Sequence, residues 1–149
     1  MTSAVAPIPR WTLDASVVVK WFLRRDEPGR AAALRLREEY RGGRIEIICP
    51  DLLAYEIANV LRYKPEIREE TAEKAIDSLF LLVILGPVEQ ADLAAGVRLA
   101  RRHDLSVYDA VYLAFARRRG CRLLTAERRL CLKLAGAPDV FSLEHYGDI

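Results

Sequence analysis

Four carboxylates interrupt apolar stretches of this 149-residue chain at points where folding alone would favour a different residue. They are Asp14 in Leu-Asp-Ala-Ser, Glu56 in Tyr-Glu-Ile-Ala, Asp109 in Val-Tyr-Asp-Ala, and Glu127 in Thr-Ala-Glu-Arg. All-oxygen, carboxylate-rich ligation favours Mg²⁺ or Mn²⁺ over zinc, which prefers His or Cys. Such metals usually serve phosphate chemistry, where they activate a water and neutralise charge at phosphorus. The four acids therefore indicate one metal site assembled from several elements.

Each acid also has an ordinary structural explanation. Ser106 and Asp109 have the spacing of a capping box, in which the Asp109 side chain would reach back to the Ser106 amide. Asp14 can cap the helix that follows it, and Glu127 can be an acid in a first helical turn. Glu56 lies in the middle of a predicted helix, where a carboxylate caps nothing. The four structural explanations must all hold at once, so a shared site is the better interpretation.

Buried acids need a partner to remain ionised, because burial disfavours the charged form. Glu56 has Leu52, Leu53 and Val60 at helical spacing and therefore faces the protein body. Neither Glu56 nor Asp109 has a lysine or arginine at helical spacing. A bound metal ion would supply the missing positive charge.

The composition predicts one globular domain. With 52% apolar and 30% charged residues and no low-complexity tract, the chain suits a single domain over 10–149 after an N-terminal extension over 1–9. The longest apolar run, Leu79–Leu85, is much shorter than the roughly 20 residues that span a bilayer. The first ten residues have no signal-peptide pattern, so we expect a cytoplasmic location. The net charge of +2 gives no global electrostatic case for nucleic acid.

The cysteine and histidine pattern argues against structural zinc. The three cysteines include no Cys-x-x-Cys pair, and the two histidines lie far from any zinc spacing. We expect buried free thiols. A Cys121–Cys131 disulfide is the alternative if the source is a hyperthermophile, in which intracellular disulfides occur.

Strands alternate with helices along the chain. Strands are predicted at 10–14, 45–49, 83–85, 122–124 and 140–143. Helices are predicted at 17–23, 31–40, 51–63, 69–82, 90–102, 106–120 and 125–134, the last capped by Thr125. Crossover connections of this kind produce a mostly parallel sheet covered on both faces. The predicted fold class is α/β, a three-layer α/β/α sandwich, whose ligands bind beyond the carboxyl ends of the strands.

Four segments, in order, resemble the motifs of the PIN-domain ribonucleases, and within them the VapC-type toxins of toxin-antitoxin pairs. The resemblance extends from about Trp11 to Tyr146. The segments are Leu-Asp-Ala-Ser-Val-Val-Val-Lys-Trp at 13–21, Tyr-Glu-Ile-Ala-Asn-Val-Leu at 55–61, Leu-Ser-Val-Tyr-Asp-Ala at 105–110, and Leu-Thr-Ala-Glu-Arg-Arg-Leu at 124–130. Each motif alone is weak, but four in order at these spacings are fairly specific.

The resemblance implies a metal-dependent endoribonuclease. Asp14, Glu56 and Asp109 would bind Mg²⁺ or Mn²⁺, directly or through water, and Glu127 would complete the acidic set. Ser16 and Thr125 would orient the carboxylates or waters. A water activated at the metal would attack the phosphodiester in line, leaving a 5′-phosphate and a 3′-hydroxyl.

The resemblance also implies partners. The family forms homodimers and binds a small VapB-type antitoxin, whose C-terminal segment occupies the groove leading to the acidic pocket. We expect sequence-independent contacts to the RNA backbone from four basic residues, Arg24, Arg25, Arg62 and Lys64.

Two positions depart from the family pattern. The fourth motif usually carries Asp, and Glu127 is one methylene longer, which puts its role as a metal ligand in doubt. Asp104 stands where a glycine often precedes the third motif, and Asp tolerates the left-handed conformation expected at such a helix end.

Two other functions fit part of the pattern. An aspartate-nucleophile, Mg-dependent phosphatase would use an Asp at a strand end, but it generally requires Asp-x-Asp, and Ser16 stands at the third position. A catalytically silent PIN-like module that binds RNA or protein has Glu127 as its only support. The intact Asp14, Glu56 and Asp109 favour the nuclease.

Overall fold

The structure is a computed structural model that describes residues 3–148. Residues 1 and 2 of the predicted N-terminal extension, and residue 149, lie outside the described part. The strands are β1 Arg10–Leu13, β2 Glu46–Pro50, β3 Ile84–Gly86, β4 Arg122–Thr125 and β5 Val140–Ser142. The helices are α1 Ala15–Phe22, α2 Arg30–Arg41, α3 Leu52–Arg62, α4 Glu69–Leu82, α5 Gln90–His103, α6 Val107–Arg118 and α7 Arg128–Lys133, followed by a 3₁₀ helix at Leu143–Asp148.

The five strands form one parallel sheet in the order β3-β2-β1-β4-β5. The chain runs from β1 outward to β3, then returns to the other side of β1 for β4 and β5. Because crossovers between parallel strands are right-handed, this reversal places α1 to α4 on one face and α5 to α7 on the other. The predicted three-layer α/β/α fold is confirmed.

Helix α6 is the most deeply buried helix. Every residue from Ala110 to Ala116 is buried, because the helix packs on the central strands and is covered by α5. Gly96 of α5 allows this close approach, since a Cβ there would lie only 3.0 Å from Val111 Cγ2. The tight packing fixes the position of α6 and of the carboxylate at its first turn.

The structure corrects the predicted start of α7. Thr125 does not cap this helix; it is the last residue of β4, and Glu127 is the N-cap residue. The Thr125 hydroxyl accepts a hydrogen bond from the Glu127 backbone N–H at 3.1 Å. Thr125 therefore fixes the turn between β4 and α7 instead of opening the helix.

The end of α5 agrees with the sequence interpretation. Asp104 is the C-cap residue and has φ 55°, in the left-handed region where glycine is usual. Its backbone N–H donates to Ala100 O of α5. Asp104 therefore adopts the left-handed conformation that glycine commonly supplies at a helix end.

The three cysteines are free thiols: Cys49 and Cys121 are buried, and Cys131 is half-buried. The expectation of free thiols is confirmed, with only two of them fully buried.

Candidate functional site

Asp14 follows β1 directly and lies at the point where the strand order reverses. At such a point the neighbouring crossovers leave the sheet on opposite faces, so a crevice opens at the carboxyl ends of the strands. The Asp14 backbone N–H donates to Leu124 O of the adjacent strand β4, 3.3 Å away. The backbone thus places the Asp14 side chain between the ends of β1 and β4.

Hydroxyl groups surround the Asp14 carboxylate. Ser16 donates its backbone N–H to Asp14 Oδ1 at 3.0 Å and its hydroxyl to the same oxygen, while the Thr125 hydroxyl donates to Oδ2. The Ser16 hydroxyl in turn accepts the Ala126 N–H at 2.9 Å. Asp14 therefore caps α1, as the structural explanation predicts, and is also held by the turn after β4.

The surroundings of Asp14 disfavour the ionised form of its carboxyl group. The side chain is buried, and burial raises the pKa of Asp14 from 3.8 to about 7, despite the opposing hydrogen bonds from Ser16 and Thr125. The charges of Glu127 and Glu56 raise this pKa further. A cap alone does not require a carboxylate in such a place.

Glu56 projects from the middle of α3 and is joined to α6 by Tyr112. The Tyr112 hydroxyl donates to Glu56 Oε2 at 2.9 Å. Partial burial raises the pKa of Glu56, the Tyr112 hydrogen bond opposes that change, and the charges of Asp109 and Glu127 add to it. Helix α3 therefore brings Glu56 to the same electrostatic environment as the acids of α6 and α7.

Asp109 and Glu127 line a small cavity of about 150 Å³ between the start of α6 and α7. Ser106 Oγ accepts the Asp109 backbone N–H at 3.1 Å, which is half of the predicted capping box. The Asp109 carboxylate makes no hydrogen bond or ion pair with any group in residues 3–148. Partial burial and the charge of Asp109 raise the pKa of Glu127.

The four acids thus form one electrostatic group, which we call the carboxylate cluster: Asp14, Glu56, Asp109 and Glu127. Charge on one member raises the pKa of another for five of the six pairs; Asp14 and Asp109 are the exception. Among residues 3–148, no lysine or arginine forms an ion pair with any member. The cluster concentrates negative charge without a protein counter-charge in contact.

The donor chemistry of the carboxylate cluster fits a hard divalent ion, since every side-chain donor is a carboxylate oxygen. Within residues 3–148, no three His, Cys, Asp or Glu side chains stand together as a finished set of ligands. The fit therefore rests on oxygen donors and uncompensated charge, and the assignment of the four acids as metal ligands stays a prediction.

The predicted RNA contacts lie at the ends of α1 and α3. Arg24 is exposed, and Arg25 is committed to an ion pair with Glu66. The Arg62 guanidinium lies 5.1 Å from the centre of the Tyr63 ring, and Lys64 is half-buried after the helix ends. Their role in RNA binding stays a prediction.

Sequence reasoning missed Tyr112 as a partner of Glu56. The available signal was its position three residues after Asp109, which places both side chains on one side of α6. The four expected RNA contacts also did not include Arg129, whose charge lowers the pKa of Glu127 and which lines the same cavity. Nothing in the sequence distinguishes Arg129 from its neighbour Arg128.

No helix in residues 3–148 is both long and apolar enough to cross a membrane.

Comparison with known proteins places these motifs in a family. The model of the PIN domain matches residues 12–134, which include the whole carboxylate cluster. Ribonuclease VapC3 from Pyrobaculum aerophilum is 35% identical over 88 residues, spanning 56% of this chain and 67% of that protein.

Solved structures share the fold. A toxin-antitoxin complex from Klebsiella pneumoniae aligns with a TM-score of 0.66 and 17% identity, over 87% of this chain and 93% of that chain. VapC20 from Mycobacterium tuberculosis, described as a Sarcin-Ricin loop cleaving toxin, aligns with a TM-score of 0.61 and 15% identity, over 77% and 86%. Because the family model covers most of the chain, the protein belongs to the PIN-domain family, and its similarity there is to VapC-type proteins.

Proposed function

We propose that this protein is a metal-dependent endoribonuclease, the toxin of a VapBC-type pair, which hydrolyses RNA phosphodiester bonds. The observation that carries the proposal is the carboxylate cluster: four acids from four elements act on one another electrostatically, with no lysine or arginine of residues 3–148 in contact. The similarity to Ribonuclease VapC3 supports nuclease chemistry.

Each residue of the site has a distinct role in this proposal. Asp14, Glu56 and Asp109 would hold Mg²⁺ or Mn²⁺, and Glu127 would ligate directly or through a water. When bound, the ion would lower the pKa of a water and neutralise charge on the phosphate. Hydrogen bonds from Ser16 and Thr125 keep the Asp14 carboxylate in place, and the Tyr112 hydroxyl does the same for Glu56. Hydrolysis in this manner leaves a 5′-phosphate and a 3′-hydroxyl.

The proposed partners follow from the same similarity. The structural relatives include a toxin-antitoxin complex and a member of the VapBC family of toxin-antitoxin systems, which supports a VapB-type antitoxin as the natural inhibitor. A homodimer and a cytoplasmic site of action complete the proposal. Gel filtration with light scattering checks the dimer, for which twice the 16.9 kDa of one chain is expected.

The test is cleavage of structured and unstructured RNA by the purified protein, with Mg²⁺ or Mn²⁺ and then with chelator. Asp14→Asn is the diagnostic variant. Asp77→Asn is its matched control, because Asp77 is an exposed acid on α4 that makes no ion pair with any group in residues 3–148. We expect cleavage that stops with chelator and falls at least 100-fold in Asp14→Asn only. Cleavage that persists in chelator or in Asp14→Asn would refute the mechanism.

The products separate the proposal from its rivals. RNA fragments with a 5′-phosphate and a 3′-hydroxyl support the nuclease. Metal binding without cleavage of any RNA is the outcome expected of a silent module, and an aspartyl-phosphate on Asp14 is the outcome expected of a phosphatase.

A further inference from the structure

The cavity beside the carboxylate cluster has a mixed lining. Its charged lining residues are three acids, Asp104, Asp109 and Glu127, and two bases of α7, Arg129 and Lys133. The two basic residues are four positions apart, so they project from the same side of the helix. At about 150 Å³ the cavity has the volume of roughly five waters, enough for a phosphate group and its hydration.

The two basic side chains differ in what they already bind. Lys133 Nζ donates to the Asp104 carbonyl oxygen at 2.5 Å and lies 3.3 Å from Asp104 Oδ2. Arg129 makes no hydrogen bond, ion pair or ring contact within residues 3–148. Its guanidinium is near enough to act on the charge of Glu127 but does not form an ion pair with it. Arg129 is therefore a cation at the cluster whose donors are all available.

The net charge of the carboxylate cluster with a bound metal ion explains why a cation is needed beside it. Four ionised carboxylates and one divalent ion would leave a net charge of −2, which repels a phosphodiester. The charge of Lys133 is already offset by Asp104, so the positive charge of Arg129 would reduce this net charge to −1. An arginine is suited to the task because its planar fork can donate two hydrogen bonds to two oxygens of one phosphate.

We propose that Arg129 is a substrate-binding residue, which donates to the non-bridging oxygens of an RNA phosphate and positions that phosphate against the carboxylate cluster. The inference rests on the proposed function and names a contact of that same site. It also moves the expected phosphate contact from the ends of α1 and α3, where Arg25 is already paired, to the wall of the acidic cavity.

The chain supplies a matched control in the adjacent residue. Arg128 is also an exposed arginine of α7, but it lines a different groove, together with Lys20 and Ser142. Replacing either arginine removes the same charge from the same helix. Of these two arginines, Arg129 alone lines the cavity with Asp109 and Glu127, whereas a general electrostatic effect would appear equally in both variants.

The experiment compares Arg129→Gln, Arg129→Lys and Arg128→Gln in the full chain. Binding of a short fluorescein-labelled single-stranded RNA is measured by anisotropy in the Asp14→Asn background with Mg²⁺, over a range of salt. We expect Arg129→Gln to weaken binding roughly 3- to 10-fold and to reduce the slope of log K against log salt by about 1. Arg128→Gln should remain within about twofold, and Arg129→Lys should restore the slope but only part of the affinity.

RNA cleavage by the same three variants, made in the protein that retains Asp14, separates this inference from the proposed function. Cleavage by the wild type with equal effects of Arg128→Gln and Arg129→Gln would overturn the role of Arg129 and leave the nuclease intact. A selective loss of RNA affinity in Arg129→Gln, without cleavage by the wild type, would support the phosphate contact and refute the nuclease. Thermal unfolding of each variant shows whether it is folded.

Discussion

Asp14 combines two properties that oppose one another: it is the cap of α1 and the most deeply buried acid of the cluster. Burial raises its pKa to about 7, so at neutral pH about half of the metal-free protein would carry a proton there. Asparagine would satisfy the cap without any charge. The use of aspartate at this place is best explained by the need for an anion that binds a cation.

This difference predicts how Asp14→Asn changes stability. A buried acid whose pKa is raised in the folded state contributes stability that is complete below its unfolded pKa near 4 and is lost as pH rises through about 7. We expect the free energy of unfolding of the wild type to fall by on the order of 2–3 kcal/mol more than that of Asp14→Asn between pH 5 and pH 8. Urea unfolding in chelator measures this, with Asp77→Asn as control. Parallel pH profiles for wild type and Asp14→Asn would contradict the account.

Tyr112 has its own prediction. Its hydroxyl donates to Glu56, so Tyr112→Phe should raise the pKa of Glu56 further and weaken Mg²⁺ binding about 10-fold. Calorimetric titration with Mg²⁺ is the measurement. Tyr146→Phe is the matched control, because Tyr146 donates to Glu39 beside Trp11 and Arg122, at the amino-terminal ends of β1 and β4. Equal Mg²⁺ affinities of the two variants would show that Tyr112 does not contribute to Mg²⁺ binding.

At the scale of elements, the pairing of α5 with α6 decides where Asp109 lies. The buried Asp92 of α5 receives two hydrogen bonds from Arg118 of α6, at 2.6 and 2.7 Å, and these lower its pKa. Asp92 also closes a capping box with Glu89 at the start of α5. The Asp92 carboxylate therefore stabilises the start of α5 and also binds α6 to it.

Removing this attachment should destabilise the fold. Arg118→Ala leaves the Asp92 carboxylate buried without its partner, and we expect Tm to fall by roughly 5–15 °C. Arg117→Ala is the matched control, since Arg117 makes the same two-bond contact with the more exposed Asp139, and its loss should lower Tm by less than about 3 °C. Calorimetry of both variants checks the difference. Equal changes would show that burial of Asp92 does not matter.

The helices and strands were largely predictable from the sequence, because the periodicity of the hydrophobic residues and the positions of glycine and proline indicate the same element boundaries. Errors occurred where a side chain serves a tertiary contact. Threonine is a common helix-capping residue, yet the Thr125 hydroxyl donates to Asp14 at the end of the adjacent strand β1. The capping box predicted at Ser106 forms only in half, whereas a complete box forms at Glu89. The partner of Thr125 lies 111 positions away in sequence, so local spacing does not reveal it.

At the scale of the whole molecule, the reversal of strand order brings four motifs to one place. Asp14 follows the central strand, Glu127 follows its neighbour β4, and the helices α3 and α6 bring in Glu56 and Asp109. The order of the motifs could be predicted from the sequence, and so could the common sheet edge. The mutual effect of their charges and the position of Arg129 required the structure, because both depend on how α6 and α7 pack.

The central claim is that the four acids hold one divalent ion together, and Mn²⁺ titration followed by electron paramagnetic resonance tests it most directly. The account predicts that Glu56→Gln weakens Mn²⁺ binding at least 10-fold, although Glu56 caps no helix, and that Asp14→Asn and Asp109→Asn do the same. Asp77→Asn should bind like the wild type. An Mn²⁺ affinity that is unchanged by Glu56→Gln, Asp14→Asn and Asp109→Asn alike would contradict the account.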